Sequence, residues 1–76
     1  MNNKDMNARI GAYLAELRKR AGLSQEQVAE KLGKSKPAIH YYETGRTEIF
    51  ADVMIEYCKA VNGDPVQLVL EVTKDE

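Results

Sequence analysis

The stretch LSQEQVAEKLGKSKPAIHYYETGR, residues 23–46, reads as two short helices and the turn between them. Ser24 is a favourable N-cap, and Gln27 three residues on completes a capping box. Leu23 and Val28 fall at the two positions of a hydrophobic staple. This is the sharpest helix start in the chain. Val28, Ala29 and Leu32 form the apolar stripe, and Gly33 ends the helix. Ser35 is expected to cap the next helix. Pro37 lies in its first turn, where a missing N–H does no harm. Ala38, Ile39 and Tyr42 are expected to face inward, and Gly45 to close the helix.

Two helices of about two turns each are too short to be stable alone, so they must pack on the rest of the chain. Ala29 is small where the two backbones would cross. Gly33 supplies positive φ where the chain turns sharply. Ile39, ten residues after Ala29, joins Val28 and Leu32 in filling the angle between the helices. This spacing is the signature of a helix-turn-helix.

Three more helices are expected around this pair. Ile10, Leu14, Leu17 and Ala21 recur at helical spacing, with Arg18, Lys19 and Arg20 near the end, where cations suit the helix dipole; Gly22 follows as the stop. A fourth helix is expected from Ile49 to Val61, with Ala51, Met54, Cys58 and Val61 on one stripe and Asn62-Gly63 as its stop. Asp64-Pro65 starts a fifth. After Leu70 the pattern is ambiguous: Leu68, Leu70 and Val72 alternate like a strand, whereas Val66, Val69 and Leu70 fit a helix, and a short fraying helix is the preferred reading. The expected fold class is all-α, a compact five-helix bundle in one domain over 1–76, with 1–6 and 73–76 flexible.

Composition narrows the function classes. Seventy-six residues make one domain with a small core, which disfavours a deep cavity. The single cysteine, Cys58, excludes an internal disulfide and suits a reducing compartment. There is no apolar run of membrane-spanning length, and the polar MNNKDMNAR start lacks a signal peptide's apolar stretch. A cytoplasmic location is expected, with no membrane contact. The net charge of −1 argues at first against nucleic acid. Its distribution argues the other way. Residues 1–46 hold nine Lys/Arg against five Asp/Glu, and residues 47–76 hold two against seven. A basic front and an acidic back can orient a protein on a polyanion; chance sampling of a solvated surface gives the same split.

Residues 10–70 resemble the phage-repressor-type helix-turn-helix family, the lambdoid repressor or XRE-like group. The resemblance rests on LRKRAGLSQEQVAEKLGKSKPAIHYYETGR (residues 17–46) and YCKAVNGDPVQL (residues 57–68). Within them, L-S-Q-x-x-V-A-x-x-L-G is followed by S-x-x-x-I-x-x-Y-E-x-G. One departure is Ile49-Phe50, where the family usually has Pro-Ser. It puts the start of helix four in doubt and raises the prospect of exposed apolar surface there. The resemblance implies a prokaryotic or phage-encoded, nucleoid-associated regulator that binds double-stranded DNA as a homodimer. Two copies would sit on half-sites about 34 Å apart. Ile49, Phe50, Leu68, Leu70 and Val72 are the candidate dimer surface, some of them being needed for the core.

The residues facing away from Ile39 and Tyr42 are Lys36, Pro37, His40 and Tyr41, the expected base-contacting set. Lys36 can donate to guanine O6 or N7, and Pro37 offers only apolar contact to a thymine methyl. The resemblance places base contacts at Lys36, Pro37 and Tyr41. Phosphate contacts are expected from Gln25, which matches the family's phosphate-binding glutamine, and from Lys34, Ser35 and Arg46 at the ends of the recognition helix. Ser35 has the plainer reading of a cap alone, and Lys34 and Arg46 of solvated cations. Arg18 and Glu43 are implied by the resemblance to form a structural ion pair.

The remaining residues take plain readings. Cys58 lies on the helix-four stripe and reads as core. Tyr13 and Tyr57 read as core-edge aromatics. His40, the only histidine, has no partner for a metal site. There is no glycine-rich phosphate loop and no nucleophile with a base beside it. The chain is therefore expected not to be an enzyme, and to use no cofactor, metal or small-molecule ligand. The leading function is a sequence-specific DNA-binding regulator, most simply a small repressor on a pseudo-palindromic operator. The alternative is a protein-interaction module such as an antitoxin, since fold alone does not imply DNA binding.

Overall fold

A computed structural model describes residues 3–74. Five helices follow one another: α1 Asn3–Arg20, α2 Gln25–Leu32, α3 Lys36–Glu43, α4 Ala51–Ala60 and α5 Pro65–Thr73. Among the described residues there is no strand, so the all-α class and the five-helix count both hold. Of the two ends expected to be flexible, Asn3–Met6 open α1 and Thr73 closes α5; Met1, Asn2, Asp75 and Glu76 lie outside the described residues.

The two central helices start as local chemistry requires. Ser24 Oγ accepts from the Gln27 N–H at 3.0 Å, and the Gln27 side-chain oxygen accepts from the Ser24 N–H at 2.8 Å. The capping box therefore satisfies two donors that the helix cannot. Gly33 sits at φ 67°, ψ 33°, in the left-handed region, and the chain reverses through it. The Lys34 N–H reaches the Ala29 carbonyl at 2.9 Å and the Gly33 N–H reaches that of Glu30 at 3.3 Å, so the last carbonyls of α2 are occupied. Ser35 Oγ accepts from the Ala38 N–H at 3.2 Å and opens α3, with Pro37 in its first turn.

The core is built from every helix. Leu14 of α1, Val28 and Ala29 of α2, Ile39 and Tyr42 of α3, Tyr57 and Cys58 of α4, and Leu68 and Val72 of α5 are all buried. Each fully buried large apolar side chain contributes about 1.5–3 kcal/mol, which the two-turn helices need. Burial also pushes the Cys58 thiol up, with the Asp64 charge adding to it, as suits a core thiol and not a nucleophile. α1 crosses α3 closely at Gly11. A Cβ there would stand 2.2 Å from the Tyr42 carbonyl oxygen and 2.8 Å from that of Glu43. Only a residue without a side chain allows this approach.

Helix four departs from expectation at its start. It begins at Ala51, not Ile49, and its N-cap residue Phe50 makes no side-chain cap bond. Ile49 instead turns into the core, while Phe50 is 64% exposed. Ile49 and Met54 occupy the two staple positions flanking this cap, an apolar substitute for a polar one. The helix ends with Asn62 at φ 59°, so asparagine, and not Gly63, adopts the left-handed conformation.

The tail after Leu70 stays helical to Thr73. Val72 follows Leu68 by one turn and reaches the same core, and Arg9 Nη1 donates to the Val72 carbonyl at 3.1 Å. That bond holds a terminal carbonyl that would otherwise fray. The candidate dimer surface changes accordingly. Ile49, Leu68 and Val72 belong to the core, whereas Phe50 and Leu70 are exposed together with Val66 and Val69. Among the described residues no helix is long and apolar enough to cross a membrane.

Candidate nucleic-acid interface

Helix α3 has two faces, set by its register. Ile39, Tyr42 and Glu43 are buried. Lys36, Pro37, His40 and Tyr41 are exposed on the other side. With Gln25 of α2, these four line a shallow cavity of about 390 Å³. The structure thus brings the four expected base-contacting residues together on one surface at the start of α2. The His40 and Tyr41 rings lie 6.0 Å apart, and the Arg46 guanidinium packs over the Tyr41 ring at 5.6 Å. Lys36 Nζ stands 3.8 Å from Glu26 Oε1, both side chains well exposed. Such a pair is worth at most about 1 kcal/mol, so Lys36 can exchange it for another acceptor.

The inner face is held by a buried polar network centred on Glu43. Arg18 Nε donates to Glu43 Oε2 at 2.7 Å and Arg18 Nη2 to Oε1 at 3.1 Å, a bidentate pair. Arg18 Nη1 also donates to the Leu23 carbonyl at 2.9 Å. The Tyr57 hydroxyl donates to Glu43 Oε2, and Gln25 Nε2 donates to Oε1 at 3.0 Å. Burial alone would push the Glu43 carboxyl up. The donors from Arg18, Tyr57 and Gln25 outweigh it and hold the carboxyl below the usual glutamate value. The same arrangement pushes the Tyr57 phenol up, first through burial and then through the Glu43 carboxylate. Among the described residues no buried side-chain polar atom lacks a partner.

Four helices meet in this network, through Arg18 of α1, Gln25 of α2, Glu43 of α3 and Tyr57 of α4. Tyr57, read from the sequence as a core-edge aromatic, is fully buried and is the fourth member. Its partner lies fourteen residues earlier in the chain, beyond any local capping or helical spacing.

Gln25 links this network to the outer surface of α3. Its side-chain amide donates to Glu43 at 3.0 Å, and the same nitrogen lies 3.5 Å from His40 Nδ1 on the exposed side of α3. Ser35 uses its oxygen as the α3 cap and keeps its O–H. Lys34 Nζ rests over the Tyr42 ring at 5.9 Å. Among the described residues there is no group of three or more His, Cys, Asp or Glu side chains placed to hold a metal.

Two short helices joined at a left-handed glycine, the second with a packed inner face and an exposed outer one, define the helix-turn-helix class. The Helix-turn-helix domain family matches residues 9–70, and the chain belongs to it. A crystal structure of the clp gene regulator ClgR from Corynebacterium glutamicum superposes with a TM-score of 0.85 at 21% identity, covering 92% of this chain and 91% of that one. A second crystal structure of that regulator gives the same score and identity over 92% of this chain and 74% of that one. At this identity the likeness is one of fold. Among curated proteins, no sequence matches the chain.

Proposed function

We propose that this chain is a sequence-specific double-stranded DNA-binding transcriptional regulator of the phage-repressor type, most simply a cytoplasmic repressor. The observation that carries the reading is the exposed cluster of Lys36, Pro37, His40 and Tyr41 on the face of α3 opposite Ile39 and Tyr42. A helix presented this way fits the major groove, with its first turns against base edges. Lys36 donates to guanine, Pro37 packs on a thymine methyl, and Tyr41 offers a ring and a hydroxyl. Gln25, Lys34, Ser35, Arg46 and the first-turn N–H groups of α2 hold the flanking phosphates. The mechanism is occlusion of a promoter, with no chemistry.

One recognition helix reads few bases, so the operator is taken to be pseudo-palindromic and the protein a dimer. Val66, Val69 and Leu70, all exposed on α5, form with Thr73 a stripe at the i, i+3, i+4, i+7 spacing of a helix-pairing face. The Thr73 hydroxyl donates to the Val69 carbonyl at 2.6 Å, which turns a polar group inward at the end of that stripe. An uncharged stripe of this kind is self-complementary about a twofold axis.

Selection from random duplex DNA at low salt, followed by a salt titration, tests the reading. The expected result is an enriched site with inverted symmetry. Its affinity should fall by about 0.9 log units per tenfold salt for each neutralised phosphate. If no duplex is enriched, the protein-interaction alternative takes precedence.

A further inference from the structure

Three shallow concavities adjoin one another through shared lining residues. The first, of about 390 Å³, is the α3 surface lined by Gln25, Lys36, Pro37, His40 and Tyr41. The second, of about 290 Å³, is lined by Tyr41, Arg46 and Thr47. The third, of about 650 Å³, is lined by Lys4, Asn7, Thr44, Gly45, Arg46 and Glu48. Tyr41 is shared by the first two and Arg46 by the last two. The Arg46 guanidinium over the Tyr41 ring makes the joint between them.

We propose that the third concavity is a second phosphate-binding site, in which Lys4 and Asn7 of α1 extend the DNA contact beyond the recognition helix. The inference rests on the DNA-binding reading above and adds residues that no sequence motif marks. Most of the loop's main-chain donors at this concavity are already used within the loop. The N–H groups of Gly45, Arg46 and Thr47 are spent on the Tyr42 and Tyr41 carbonyls at 3.2, 2.9 and 3.3 Å. The Thr44 hydroxyl is spent on the His40 and Tyr41 carbonyls at 2.9 and 3.3 Å. The lining side chains are therefore the main donors open to an anion here. Among the described residues no ion pair takes up Lys4 or Arg46, so both cations remain available to an anion. Glu48 opposes them with one negative charge, leaving the concavity net positive. Two cations and an amide in a groove continuous with the reading face suit a polyanion that tracks along it.

Lys4→Ala and Glu48→Gln, measured on the site selected by the whole protein, test this. Lys4 lies on an exposed stretch of α1 and alanine is the best helix former, so the fold is retained. Lys4→Ala is expected to weaken binding equally on matched and mismatched sites and to reduce the salt slope by about one. Glu48→Gln is expected to tighten binding, a gain that misfolding cannot produce. If the wild-type protein binds its site and both variants match it in affinity and salt slope, this inference fails while the DNA-binding reading stands. A Lys4→Ala loss confined to one base position also overturns it, because Lys4 would then read a base. If the wild-type protein enriches no duplex, both fall together.

Discussion

The two faces of α3 are made from eight consecutive residues and behave in opposite ways. The inner face, with Ile39, Tyr42 and Glu43, is locked by packing and by a carboxylate that receives donors from three other helices. The outer face, with Lys36, Pro37, His40 and Tyr41, is held by weak exposed contacts. The difference teaches how a small domain presents an exposed helix face on a rigid support. Precision comes from fixing the helix by its hidden side, so that exposed side chains can adapt to a partner while their Cα positions stay put.

The largest effect should come from breaking the inner face. Glu43→Ala strands the Arg18 guanidinium and the Tyr57 hydroxyl in a site where both side chains of the ion pair are nearly buried, at 11% and 5% exposure. Removing one partner of such a pair costs about 3–5 kcal/mol. Thermal unfolding should show a drop of well over 10 °C for a domain this size; an unchanged melting temperature would remove the network from the account. Acid should reach the same site without mutation. The folded-state value of Glu43 lies below its ordinary 4.5, so the unfolded chain binds the proton more readily. The stability Glu43 contributes is complete above pH 4.5 and is lost as pH falls through the lowered value. A Glu43→Gln variant, followed by circular dichroism from pH 6 downward, should lack this acid-dependent loss. Equal acid sensitivity in the two proteins would assign the effect to other carboxylates.

Next in size is the crossing that seats α3 on α1. Gly11→Ala drives a methyl into the Tyr42 and Glu43 carbonyls, and the helices must part. The expected cost is about 1–3 kcal/mol, measured by urea unfolding. A neutral or stabilising result, as glycine-to-alanine usually gives within a helix, would mean that the helices separate freely. The smallest effect on stability belongs to the outer face. Lys36→Ala should change stability by less than about 0.5 kcal/mol, yet cost about 1–3 kcal/mol of discrimination at one base position. Uniform weakening across all sequences would move Lys36 from base reader to phosphate contact.

Much of this architecture was legible in the residues because its causes are local. The Ser24–Gln27 box, the Ser35 cap and the Gly33 turn all close within five residues of where they start. Helical periodicity placed Leu14, Val28, Ile39 and Cys58 in the core in the same way. The outer face of α3 was legible as the complement of Ile39 and Tyr42. The apolar pattern leaves two places open, the start of α4 and the face of α5. Of the five apolar candidates shared between core and surface, Ile49, Leu68 and Val72 are buried, and Phe50 and Leu70 are exposed. α5 carries apolar residues around most of its circumference, so its pattern contains two apolar stripes and does not rank them.

By itself, then, the sequence determined the five helices, the caps and turn that bound α2 and α3, and the inward register of that pair, since caps, turns and periodicity act between residues that the chain already holds close. Only the tertiary structure decided which stripe of α5 is buried, that Tyr57 completes the Glu43 network, that Gln25 turns its amide inward, and that Gly11 carries the close crossing of α1 and α3. Each of these joins groups ten or more residues apart. Such contacts are chosen by the packing of the whole bundle, through the burial of apolar surface and the need to satisfy every polar group that goes with it.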